Sequence, residues 1–133
     1  MKDFCLRGAG LHGLLAVSFG AFAAHALKQA LAPLPPEEAA KMLGWVDTGA
    51  RYQLAHAAAL LGLAGLAPGL SGWPGKLAVH GLFWGPLVFS STLYAMALGA
   101  PHWLGAVTPL GGLGMLLGWG ALVYATLPTT KAA

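Results

Sequence analysis

Residues 77–130, LAVHGLFWGPLVFSSTLYAMALGAPHWLGAVTPLGGLGMLLGWGALVYATLPTT, form 54 consecutive positions without Asp, Glu, Lys or Arg. A helix rises 1.5 Å per residue and bilayer hydrocarbon is about 30 Å thick, so about 20 apolar residues make one crossing. The stretch is therefore long enough for two crossings joined by a reversal. Within it, only Gly99-Ala100-Pro101-His102-Trp103 combines turn-forming residues with an interfacial aromatic, which sets the crossings at about 77–98 and 105–126. Pro86 falls inside the first and Pro109 near the start of the second, so each is expected to bend its helix or loosen one turn.

Two shorter uncharged runs lie upstream, residues 8–27 and 52–75, and each supplies one more crossing, at about 8–27 and 52–68. The first is closed by Lys28 and by Pro33, Pro35 and Pro36, since successive prolines cannot extend a helix. Glu37 and Glu38 after Pro36 suit a helix start, and Ala40, Leu43 and Trp45 interleaved with Lys41 and Asp47 suit a short helix at headgroup level. The second upstream crossing ends in Pro68-Gly69-Leu70-Ser71-Gly72-Trp73-Pro74-Gly75, a turn-forming sequence. Lys2 and Arg7 ahead of an apolar stretch have the layout of a secretory signal, but the stretch is long enough to span and leads to basic Lys28, so retention is expected.

The fold class that follows is all-α: an integral membrane bundle of four transmembrane helices, with a short interfacial helix in the first loop, forming one domain over residues 1–133. Composition agrees, with 57% hydrophobic and 8% charged residues against about 25% charged in soluble domains. The net charge of +3 comes from seven scattered basic residues that form no phosphate-binding stripe, so nucleic acid is not expected as a partner. The single cysteine, Cys5, excludes an internal disulfide and offers no metal-ligand set. Lys2, Arg7, Lys76 and Lys131 on one side outnumber Lys28, Lys41 and Arg51 on the other, which leans both termini to the cytoplasm of a bacterial inner membrane.

Small residues recur at helical spacing: Gly20 with Ala24, Ala58 with Gly62, Gly81 with Gly85, and Gly114 with Gly118, next to Gly111 and Gly112. Lipid supplies no hydrophobic force between helices, so such positions are expected to let backbones approach closely and hold the bundle together. The alternative is that Gly114 and Gly118 face outward and join a second copy.

Alternating spans put His25, Lys28, Arg51, Tyr52, Gln53, His56 and His102 on one face, and His12 and His80 on the other. Three readings of the first cluster stand side by side. The polar groups bond between helices and snorkel to headgroups; or they form a binding or proton-handling site, because imidazole titrates near neutrality; or His25 and His56 hold a haem or metal between them. No HxxxH pair or cysteine set supports the last, and no metal or cofactor is expected. All four carboxylates, Asp3, Glu37, Glu38 and Asp47, lie outside the spans, so catalysis is not expected. Between the two histidine layers the residues are mainly Ala, Leu, Gly, Phe and Val, which predicts a dry middle.

The chain resembles the domain-of-unknown-function 423 family of small multi-pass membrane proteins, which includes transmembrane protein 256-like proteins of animals. The resemblance covers nearly the whole sequence and rests on Gly20-Ala21-Phe22-Ala23-Ala24-His25-Ala26-Leu27, Trp45 leading to Arg51-Tyr52-Gln53-Leu54-Ala55-His56, Phe89-Ser90-Ser91-Thr92-Leu93-Tyr94, Thr108-Pro109-Leu110-Gly111-Gly112 and Gly118-Trp119. It implies four helices with a retained first span, and it implies no reaction or ligand. The expectation is a non-enzymatic bundle that binds itself, a membrane partner, lipid or a small amphiphile. The other reading is an oligomeric transporter or channel working through its histidines.

Overall fold

A computed structural model of the chain describes residues 1–66, 70 and 72–127. These residues are helical, with no strand among them. Helix α1 (Lys2–Phe22) continues through a five-residue π segment (Ala23–Leu27) into the short α2 (Lys28–Ala30), and then come α3 (Pro36–Leu66), α4 (Gly72–Ala97), a 3₁₀ turn (His102–Ala106) and α5 (Thr108–Thr126). The Pro68-Gly69 turn, Ser71 and the Lys131 charge lie outside the described residues.

The short interfacial helix expected in the first loop is not a separate element. Residues 36–66 form one helix of 31 residues, about 46 Å long at 1.5 Å per residue. Ala39, Ala40, Lys41, Met42 and Leu43 are strong helix formers, and nothing between Pro36 and Tyr52 forces a break. Gly49 does not end the helix, and it makes room for a neighbour: a Cβ there would sit 2.7 Å from the ring of Tyr94.

Consecutive long helices run antiparallel. Gly8 of α1 lies against Leu60 of α3, and Leu27 clusters with Val46. Ser90 of α4 reaches Gly49 of α3, and Thr92 of α4 meets Thr108 just ahead of Pro109. Helix α4 ends in a Schellman motif at Gly99, whose φ of +91° suits glycine: Ala100 N–H bonds Ala95 O at 2.9 Å and Gly99 N–H bonds Met96 O at 3.1 Å. Pro109 bends nothing, because it occupies the first turn of α5, where a missing N–H has no intrahelical partner to lose.

Glycines bring α4 and α5 to backbone contact. A Cβ on Gly81 would lie 2.6 Å from Gly118 Cα, one on Gly85 2.6 Å from Met115 N, and one on Gly111 2.5 Å from Phe89 N. Gly114 and Gly118 are thus taken up inside the chain by α4, not presented to a second copy. Gly20, Gly62 and Gly112, read from sequence as packing positions, have open space around them, and Ala24 is exposed. The difference is partnership: Gly81 and Gly85 meet glycines at matching spacing on α5, whereas nothing faces the other three.

Helix α5 buries Thr108, Gly111, Met115, Gly118 and Ala121 and exposes Leu110, Leu113, Leu116, Leu117 and Val123. Large apolar side chains point outward and small ones inward, the reverse of a helix packed for water. The rods Lys2–Ala30 and His102–Thr126 are long and apolar enough to cross a membrane, and only 17% and 28% of their apolar windows are buried. Their apolar surface is therefore mostly on the outside of the molecule.

Candidate functional site

The core has three layers. One apolar cluster gathers Cys5, Leu60, Leu63, Val79, Leu82 and Phe83, and another gathers Leu27, Leu31, Val46, Tyr94 and Ala97. Between them along the helices lie the buried polar residues His12, Gln53, His56 and Ser90. Where the sequence reading expects a dry middle of mainly Ala, Leu, Gly, Phe and Val, the structure places these polar side chains. His12, Gln53 and Ser90 are each fully buried among mainly apolar neighbours, where an unpaired polar group is costly, so their hydrogen bonds define the site.

His12 Nε2 lies 3.0 Å from Phe83 O, and because a carbonyl only accepts, Nε2 carries the proton. Pro86 lies inside α4 and has no N–H for the Leu82 carbonyl, and His12 donates to the carbonyl next to it. His56 Nδ1 donates to Tyr52 O at 2.8 Å, and its Nε2 accepts from Trp119 Nε1–H at 3.3 Å. This neutral imidazole joins α3 to α5. Tyr94 Oη donates to Gln53 Oε1 at 2.8 Å, and Ser90 Oγ donates to Gly49 O at 2.8 Å, so two bonds tie α4 to α3. Tyr94 also stacks on Phe19 of α1, ring centroids 3.8 Å apart.

The seven-residue cluster read from sequence is divided among four places, one of them the surface pair of Arg51 with Asp47. His25 sits exposed in the π segment, with Lys28 exposed just beyond it. His102 is exposed and meets the edge of Trp45, ring centroids 5.6 Å apart, above Lys41, Glu37 and Glu38. Only Tyr52, Gln53 and His56 belong to the central layer and its rim. The cause is register: Leu27, two residues past His25, packs with Val46, ten residues before His56, so in this antiparallel pair the two imidazoles stand eight residues, about 12 Å, apart along the bundle. That removes the haem or metal site between His25 and His56. No group of three or more His, Cys, Asp and Glu residues that could hold a metal occurs among the described residues.

His12 and His80 are parted in the same way, since His80 is exposed against Phe4 at 5.0 Å while His12 is buried. With Gly8 against Leu60 in an antiparallel pair, His12 instead comes level with His56. Ser90, Tyr94 and Trp119 do not stand out in the sequence as site residues. The available signal is the four-residue spacing of Ser90 and Tyr94, which puts both on one face of α4.

Arg51 pairs with Asp47 at 2.9 Å on the surface, with the side chains 78% and 58% exposed. An exposed i,i+4 pair adds little, so Arg51→Ala is expected to change unfolding free energy by less than about 0.5 kcal/mol. Thermal unfolding in detergent checks this, and a loss above about 1 kcal/mol would give the pair a structural role.

A groove of about 460 Å³ runs between α3 and α5 across α4, lined by Tyr52, His56, Phe89, Leu113, Leu116 and Trp119 among others. Its wall is largely apolar, with His56 and the Trp119 indole as fixed polar points. Tyr52 and Phe89 form its aromatic side, ring centroids 4.7 Å apart.

An all-helical chain with a polar central layer and an apolar outer surface has the character of a small membrane protein, and its relatives carry that description. The profile of the family described as protein of unknown function, DUF423, matches residues 19–112. The UPF0382 membrane protein of Haemophilus influenzae is 38% identical over 124 residues, covering 93% of this chain and 94% of that protein. UPF0382 membrane protein YwdK of Bacillus subtilis is 38% identical over 129 residues, covering 96% and 98%. UPF0382 inner membrane protein YgdD of Escherichia coli K12 is 34% identical over 125 residues, covering 93% and 89%. The chain belongs to this DUF423 family, together with these UPF0382 membrane proteins. No solved structure matches it.

Proposed function

We propose that the protein is a single-domain, four-span helical bundle of a bacterial inner membrane that binds a small amphiphile in the groove between α3 and α5. The bundle reading draws on the outward apolar faces of α1 and α5 and on relatives named as membrane proteins. Lys2, Arg7 and Lys76 gather at one end and Lys28 and Lys41 at the other, and both termini are assigned to the cytoplasm with the first group. Binding without catalysis is favoured because no carboxylate enters the central layer: Asp3, Glu37, Glu38 and Asp47 are all exposed.

One observation carries the ligand reading. The groove is mostly apolar, has the size of a ligand site, and carries on its wall the Tyr52 hydroxyl, which makes no hydrogen bond to the described residues and is placed to meet an amphiphile's polar group, beside the mutually bonded His56 and Trp119. The transporter reading draws on the buried polar layer, but apolar clusters close that layer above and below. Gly112 lines the groove, and a Cβ added there would meet nothing within 4 Å, so a bulky side chain at this position fills the groove without displacing the bundle. Native mass spectrometry after mild-detergent purification is expected to find a bound lipid or small amphiphile, lost in Gly112→Phe at unchanged thermal stability. A ligand-free wild type, or equal occupancy in both proteins, overturns the assignment.

A further inference from the structure

We propose that the central layer is hydrated: a water-holding seam between α1, α3 and α4 links His12 to Gln53. Both side chains are fully buried, and each keeps one polar atom without a protein partner among the described residues, His12 Nδ1 and Gln53 Nε2. With Nε2–H committed to Phe83 O, His12 Nδ1 is a free acceptor. With Oε1 committed to the Tyr94 hydroxyl, Gln53 Nε2 is a free donor of two hydrogens. Turning the amide over exchanges the roles of its oxygen and nitrogen and still leaves one of them unpartnered, so the deficit does not depend on how the amide is assigned.

Water both accepts and donates, and it meets this pair of needs in one chain: its hydrogen to His12 Nδ1, its lone pair to Gln53 Nε2–H. The register suits a bridge, because His12 is level with His56 and Gln53 is three residues, about 4.5 Å along the axis, from that level. Ala16 and Ala57, each one turn along the same helix face from His12 and Gln53, are buried and carry only methyl groups. Buried water is held by polar groups that lack protein partners, and two such groups are present here.

The test is water-edited solid-state NMR on the full chain in lipid bilayers, with labelled histidine, glutamine and leucine side chains. Magnetisation is expected to pass from water to the His12 and Gln53 side chains at least about fivefold more strongly than to Leu60 and Leu82, which are equally buried in the apolar cluster. If His12 and Gln53 are as dark as the two leucines, the seam does not exist. In the double variant Gln53→Leu/Tyr94→Phe, which removes the amide and its partner together, transfer to His12 is expected to fall at least about twofold. An unchanged His12 signal in a folded double variant overturns the shared seam, and the wild-type measurement decides the matter should that variant fail to fold.

Discussion

Gly81→Ala, Gly85→Ala and Gly111→Ala are each expected to cost about 3 kcal/mol of stability, the upper end of what overpacking costs, whereas Gly112→Ala and Gly120→Ala cost nothing measurable. The added methyl at Gly85 would lie 2.6 Å from Met115 N and 2.9 Å from Gly111 O, and that at Gly81 2.7 Å from Gly114 O. These are backbone atoms of a helix, so no rotamer change relieves the clash, and α5 as a whole must move off α4. Because α5 packs chiefly on α4, the dispersion energy forfeited at this interface is not recovered elsewhere. At Gly112 and Gly120 the methyl meets nothing within 4 Å, and the better helix propensity of alanine offsets any small loss. Detergent or SDS unfolding of the five variants, followed by circular dichroism, measures the difference. Equal stabilities across the two groups would mean that α4 and α5 do not meet through these glycines.

The second large effect is expected at the Gln53–Tyr94 pair. Tyr94→Phe leaves the Gln53 amide with no protein partner, and Gln53→Leu leaves a buried hydroxyl without an acceptor, so each single change is expected to cost about 2 kcal/mol. The double change removes both polar groups and costs less than the sum, with a coupling of at least about 1 kcal/mol. Tyr94 raises the stakes, because the same ring stacks on Phe19 and fills the hollow at Gly49, and phenylalanine preserves both contacts. The cycle therefore isolates the hydrogen bond from the packing. Strict additivity in unfolding free energy would show that hydroxyl and amide do not interact.

Reading the residues in order recovers the helices well and their alignment poorly. Uncharged run lengths and the Pro/Gly punctuation at residues 32–36 and 99–101 mark where rods end, because those signals are local. The start of α3 at Pro36 is legible, but its continuity into the crossing is not. Glu37, Glu38, Lys41, Asp47 and Arg51 read in sequence as a short interfacial helix set apart from the crossing at 52–68, yet all are exposed and sit on the outer faces of one unbroken helix. That misreading moves the level of His25 by about eight residues against His56, and with it every inference about which imidazoles meet. The members His12, Gln53 and His56 stand out as polar residues in apolar runs, but their partners depend on register, which only packing sets. Conversely Gly81, Gly85, Gly111, Gly114 and Gly118 are legible because close backbone approach in lipid has few other means.

The π segment at Ala23–Leu27 stores one surplus residue within an otherwise regular rod. On its near side Cys5, Gly8, His12 and Ala16 are buried, and at its far end and beyond Leu27 and Leu31 are. The bulge keeps both sets in phase, since at 100° per residue a regular helix would turn their mean directions roughly 75° apart. Removing a residue inside that segment consumes the slack and leaves both anchored ends in place. Removing one between Leu11 and Ala16 swings everything further along by about 100°. Length changes in this rod are therefore harmless at one spot and ruinous about two turns away, and His25 rides on the part that gives.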